Sequence, residues 1–200
     1  MSGLKEREVL TLLNETDKLN KRHIVRLLDS FDHKKHLILV FELMEMDLRE
    51  VLKTIGKGVG ISIEGTRSYA RQLFIALFHL KKNNIIHADL KPDNILVTNS
   101  KKTLKLADLG SAFPIEENTI TPYLISRYYR PPEIILGLPY ECAVDVWSAA
   151  CTIYELYTGK FLFPGRSNNE MLKLIMQTKG RFSNKVLKRG EYTAKYFDKQ

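Results

Sequence analysis

The spacing of apolar and polar positions changes along this chain, and the changes mark out the elements. Residues 4–13 (LKEREVLTLL) carry apolar positions at Leu4, Val9, Leu12 and Leu13 with charges between, which predicts a short amphipathic helix. Residues 24–31 and 36–41 read as two strands joined by the polar turn around His33–Lys35. Residues 47–53 suit a short helix, and GKGVG at 56–60 breaks the chain. Across 64–82, Tyr69, Leu73, Phe74, Leu77 and Leu80 recur at helical spacing and predict a long helix. Short apolar runs at 95–97 (ILV) and 104–106 (LKL) read as strands flanked by turn residues. Residues 108–132 are irregular and rich in Thr, Tyr and Pro. A buried helix is expected over 143–158, closed by Gly159, and another over 167–178. No repeat, low-complexity tract or linker between independent domains interrupts this order. Strands come early and helices dominate later, so the fold class is α+β.

Composition narrows the picture. At 200 residues, 44% of them hydrophobic and 27% charged, the chain can bury a core as one compact domain or two small lobes. No run free of Asp, Glu, Lys and Arg exceeds nine residues, whereas a spanning helix needs about 20 apolar ones, so no membrane partner is expected. The start, MSGLKEREVL, lacks the apolar stretch of a signal peptide. Cys142 and Cys151 match no ligand spacing and read as reduced core residues of an intracellular protein. The net charge is +8, and from Arg166 to Gln200 nine basic residues face three acidic ones. Aromatics are not interleaved there as a single-strand binding platform requires, so this tail reads as solvated surface and direct nucleic-acid binding is not expected.

The chemistry concentrates between the long helix and the ILV strand. IIHADLKPDNILV puts Asp89, Lys91 and Asn94 at offsets of zero, two and five in one polar loop. This arrangement suits phosphoryl transfer: the carboxylate orients an attacking hydroxyl and accepts its proton, and the Lys offsets charge developing on the transferred group. The Asn oxygen can ligate Mg²⁺. Nineteen residues beyond Asp89, Asp108 follows the LKL strand and precedes Leu109 and Gly110, where it can reach a metal bridging two phosphates. As bland turn formers, Asp89 and Asn94 would not require Lys91 and Asp108 in register with them.

These residues carry a resemblance to the protein kinases. HADLKPDN is similar to the H-R-D-L-x-x-x-N catalytic loop, ADLG to D-F-G, and PPE at 131–133 to A-P-E, three matches in order across 47 residues. DLKPDN, with Lys91, resembles the Ser/Thr branch. TPYLISRYYRPPEIILG (121–137) resembles the activation segments of the CMGC group, and the chain as a whole looks most like the pre-mRNA-processing kinases of that group. The resemblance implies a two-lobed fold with an incomplete N-lobe and a mainly helical C-lobe: residues 1–46 as N-lobe remainder and hinge, 47–200 as the first part of the C-lobe. It implies ATP and Mg²⁺ as cofactors, protein substrates, splicing factors among them, and a nuclear location. It implies Phe41 as gatekeeper, Glu42 and Met44 as hinge groups facing adenine, Leu96 beneath the purine, and Glu8 as the helix carboxylate that holds an ATP-contacting Lys. Asn94 and Asp108 would hold the metal. Tyr123 falls at a phosphorylation position, Arg127 and Arg130 would receive that phosphate or the backbone around it, and Ser126 would bridge Asp89 and Lys91. His87 and Asp145 would order and brace the loop.

The chain also departs from the family pattern. The glycine-rich loop and the V-A-I-K Lys are absent, and GKGVG follows no strand, so it reads as a connection. With that Lys missing, the chain as written is expected to be a weak catalyst or a fragment, the other reading being a partner-binding pseudokinase-like module. The Arg that normally pairs with the A-P-E Glu, here Glu133, is not present either. Ala88 stands where the loop usually has Arg and cannot bind a phosphate, and Leu109 replaces Phe, one apolar residue for another.

Overall fold

The structure, a computed structural model, describes residues 2–198. Helix α1 (Ser2–Glu15) buries Val9, Leu10 and Leu13, while Leu4 and Leu12 are 51% and 41% exposed. The apolar stripe expected from sequence is therefore turned: the buried face runs through positions 6, 9, 10 and 13, the i, i+3, i+4, i+7 spacing of one helix side. Strands β1 (Leu27–His33) and β2 (His36–Phe41) form an antiparallel hairpin in which His33 pairs with His36. Lys34 and Lys35 make its two-residue turn with positive φ at both, the geometry that matches strand twist. The first strand begins three residues later than expected because β6 (Leu104–Leu106) captures the residues before it. Leu106 N–H donates to His23 O (2.8 Å) and Val25 N–H donates to Leu106 O (2.9 Å).

A three-stranded sheet follows, in the order β3 (Met46–Asp47), β5 (Ile95–Val97), β6. Asp47 caps α2 (Leu48–Val51) by accepting the Glu50 N–H at 2.7 Å, and a π-helical turn carries the chain on to Gly56. GKGVG is docked against the backbone at Tyr157: a Cβ on Gly60, φ +87, would lie 2.2 Å from Tyr157 O. Helix α3 (Ile63–Lys82) starts at Ser62, whose Oγ accepts the Gly65 N–H. Strand β4 (Ile85–Ile86) pairs with β7 (Phe113–Pro114). Four helices follow: α4 (Pro132–Leu136), α5 (Ala143–Thr158), α6 (Asn168–Lys179) and α7 (Asn184–Arg189).

The apolar faces meet in two clusters. Val9, Leu10 and Leu13 of α1 join Leu73, Leu77 and Leu80 of α3 and the strands β5 and β6. The second cluster gathers Ile86, Ala88, Ile125, Tyr129 and Ile134–Leu136 with α5 and α6. The loop from His87 to Asn94 runs between β4 and β5, so elements packed in both clusters hold its two ends. No helix among the described residues is long and apolar enough to cross a membrane.

Candidate active site

The loop after β4 is shaped from below by Asp145 in the first turn of α5. Its carboxylate accepts the His87 N–H (2.8 Å, Oδ2) and the Ala88 N–H (3.1 Å, Oδ1). These bonds hold Ala88 in a left-handed conformation, φ +65, which a non-glycine residue adopts at a cost. Asp145 is fully buried, and that burial pushes its carboxyl pKa up against the two amide donors. His87 is buried as well. The Asp89 N–H donates to its Nδ1 at 3.2 Å, so Nε2 carries the proton that goes to Ala107 O at 2.9 Å. The imidazole is thus a neutral strut between the loop and the strand end that leads to Asp108.

Asp89 is the centre of the site. Its Oδ2 accepts from Lys91 Nζ (2.7 Å) and Asn94 Nδ2 (3.1 Å), and its Oδ1 from Ser126 Oγ (2.6 Å). Lys91 Nζ also donates to Ser126 Oγ at 3.2 Å, so Ser126 bridges the Asp and the Lys. Burial acts to raise the Asp89 pKa, but the hydrogen bonds from Lys91 and Ser126 and the Lys91 charge outweigh it and hold the carboxyl below its ordinary value. Both Asn94 amide protons face Asp89: Nδ2 also donates to Asp89 O at 2.9 Å, which leaves Asn94 Oδ1 without a partner among the described residues. The Ala107 N–H donates to Asn94 O (2.9 Å) and ties the next residue, Asp108, to the same place. Asp108 is exposed and left-handed (φ 54, ψ 69), while Leu109 is fully buried beneath it. Two oxygen donors, the Asn94 carbonyl and the Asp108 carboxylate, fit Mg²⁺, which takes one or two protein oxygens and completes its shell with phosphate and water.

The α1 carboxylate at this site is Glu6, a correction to the expected Glu8. Glu6 lies against the Leu109 N–H and near Asp108; burial, then the Asp108 charge, raises its pKa. Glu8 is exposed, in line with Leu4 and Leu12 on the solvent side of α1. The helical period could have found this: Glu6 precedes Val9, Leu10 and Leu13 by three, four and seven residues.

On the opposite side, Phe41 ends β2 at 36% exposure, and Met44 makes no hydrogen bond through its N–H among the described residues. Leu96 is half-buried on β5. The Glu42 side chain turns inward, where its Oε1 accepts the Arg26 N–H (2.7 Å) and pairs with the Lys105 ammonium. Sequence reasoning missed that pair. It also missed Arg49, which donates to Glu155, Asp93 (Nη2, 3.2 Å) and Tyr129 Oη (2.8 Å) and ties α2 to the loop from His87 to Asn94 and to α5.

Arg130 receives backbone. Its Nε donates to Leu124 O (3.0 Å) and Ile125 O (3.1 Å), Nη2 to Ile125 O (2.9 Å), and Nη1 to Asn168 Oδ1 (2.6 Å). Its guanidinium also lies 5.8 Å from the Tyr123 ring centre. Arg127 and Tyr123 are exposed, Tyr123 at 76%. Glu133 has no basic partner among the described residues, and burial raises its pKa. A cavity of about 460 Å³ lies elsewhere, between α3 and the start of α5, and Cys142 is on its wall.

The protein kinase domain family matches residues 3–197. The chain is 53% identical over 196 residues to serine/threonine-protein kinase prp4 of Schizosaccharomyces pombe, covering 98% of this chain and 41% of that protein. It is 49% identical over 199 residues to serine/threonine-protein kinase prpf4B of Dictyostelium discoideum, covering 98% and 24%. Against dual specificity protein kinase YAK1 of Saccharomyces cerevisiae the identity is 42% over 199 residues, again 98% and 24%. The chain thus spans less than half the length of these relatives. A match running from residue 3 to residue 197, over loops that bring Asp89, Lys91, Asn94 and Ser126 together, makes this chain a member of the protein kinase domain family.

Proposed function

We propose that the protein transfers the γ-phosphoryl group of ATP to serine and threonine hydroxyls of proteins. The observation that carries this reading is the Asp89 carboxylate held at once by Lys91, Asn94 and Ser126. Kept ionised by these donors, Asp89 orients the substrate hydroxyl and accepts its proton. Lys91 offsets negative charge on the phosphoryl group in flight. Asn94 Oδ1 and the Asp108 carboxylate would hold Mg²⁺, which would screen the phosphate charge of ATP, the source of the transferred group. Phe41, the Glu42 carbonyl and Met44 edge the adenine pocket, and Leu96 lies under it. Residues 1–46 form the N-lobe part and hinge, and 47–200 the C-lobe part.

The likeness to pre-mRNA-processing kinases supports splicing factors as substrates and the nucleus as the place of action. Tyr123 is a regulatory phosphosite: it is exposed, the Arg130 guanidinium lies 5.8 Å from its ring centre, and Arg127 follows four residues on in sequence. Phosphate mapping on active native protein should find Tyr123 modified; an unmodified Tyr123 there would remove that role. The reaction itself is tested by incubating native protein with γ-labelled ATP and a mixed protein substrate, then hydrolysing to phosphoamino acids. Label on Ser and Thr is expected. Label on Tyr alone, or none, would overturn the reading.

A further inference from the structure

Four segments meet around the Glu42–Lys105 pair beside the Met44 edge. Glu42 Oε1 accepts the Arg26 N–H at 2.7 Å, and the Glu42 N–H returns a bond to Arg26 O at 3.0 Å. The same Oε1 takes the Lys105 ammonium, which also donates to Asn20 Oδ1 at 2.7 Å. Asn20 belongs to the loop after α1, Arg26 precedes β1, Glu42 follows β2, and Lys105 is the middle residue of β6. The Arg26 guanidinium reaches back to Asn14 O (3.1 Å) and Asp17 O (2.7 Å) at the end of α1, so the clasp includes that helix. The Lys105 side chain is 6% exposed and that of Glu42 23%. A charge this deep is kept only with a partner, so the pair moves as a unit or not at all.

The position of the pair gives it a consequence. Lys105 is directly opposite Leu96 in the β5–β6 register, and opposed residues project to one face. Glu42 is two residues before Met44. One ammonium thus joins the sheet position of Leu96 to the segment that carries the Met44 N–H, which has no acceptor among the described residues. We infer that Lys105 is a positioning residue for the nucleotide: through Glu42 it fixes residues 42–44 at the distance from Leu96 that a purine requires. Asn20 holds the ammonium from the α1 side. The inference rests on the nucleotide-transfer reading above.

The test is ADP binding by calorimetry, with melting temperature, on native protein, Lys105→Met, and Lys105→Met with Glu42→Gln. Lys105→Met is expected to raise the Kd for ADP about tenfold, to raise the KM for ATP by the same factor, and to move kcat by less. It also strands the Glu42 charge and lowers the melting temperature. The double variant removes that charge and recovers most of the melting temperature, yet its ADP affinity stays weak. A double variant whose affinity recovers together with its melting temperature would make the pair merely structural and overturn the inference. So would native-like ADP binding by Lys105→Met. Native protein that binds no ADP would bring down the nucleotide-transfer reading and this inference with it.

Discussion

Among the described residues, the Asp89 carboxylate accepts the most side-chain hydrogen bonds, three, and its protonation is held by its neighbours. Its folded pKa is depressed, so its contribution to stability is present above the unfolded value and lost as pH falls through the folded one. Lys91→Met leaves burial unopposed by its largest partner, and the carboxyl pKa rises. The acidic limb of the kcat/KM profile should therefore move toward neutral pH; a limb that stays in place would show that Lys91 does not set this pKa. Asp89, Lys91, Asn94 and Ser126 were legible in the sequence because their offsets lie within one loop or one quoted motif. Glu6 was not, because the choice between two carboxylates on α1 depends on which face the helix buries. Leu4 and Leu12 drew the stripe to the side on which Glu8 lies, while Leu10, fully buried, marks the other. Glu6→Ala should lower phosphotransfer at least about tenfold and Glu8→Ala should stay within about twofold, as exposed substitutions do. Equal effects in the two rate measurements would contradict the placement.

Among the elements, those with a full hydrophobic period were readable: α3, α5 and α6 to within one residue at each end, and β2, β5 and β6 in place. The two-residue strands β3, β4 and β7 carry no period, and α4 and α7 are too short to show one. They form because neighbours pair with them or cap them, as Ser183 does when its Oγ accepts the Val186 N–H. The segment expected to be irregular is held by tertiary bonds to Arg130. Ile125 sits at φ +69, a strained place for a β-branched residue, and Arg130 fastens its carbonyl through two nitrogens. Arg130→Lys cannot reproduce that fork. It should speed limited proteolysis between residues 120 and 130 and lower phosphotransfer about tenfold, with the α5 core still folded by circular dichroism. Native-like cleavage would mean that the segment holds itself.

For the whole molecule, the chain order of strands then helices gave the α+β class, and the two apolar clusters explain why it folds around the loop: β4 puts Ile85 into one cluster and Ile86 into the other, and β5 returns the chain to the first. What the pattern could not show were charges that meet from distant segments, such as Glu42 with Lys105 and Arg49 with Glu155. Glu133 is a further whole-chain feature. Burial raises its pKa, so the charged form costs stability at neutral pH, and the cost fades as pH falls toward the unfolded value. In the 200-residue chain, Glu133→Gln should raise the melting temperature by about 2–4 °C at pH 7 and by nothing once the carboxyl is protonated in acid. A drop at pH 7 would mean the charge is favourably held. The account as a whole stands on Asp89, and the most direct measurement is the initial rate of phosphoryl transfer from γ-labelled ATP by native protein and its Asp89→Asn variant, with ADP affinity measured on both. A loss of about 10²–10⁴-fold in rate with ADP affinity unchanged is the predicted result. A variant that transfers phosphate as fast as the native protein would contradict the account.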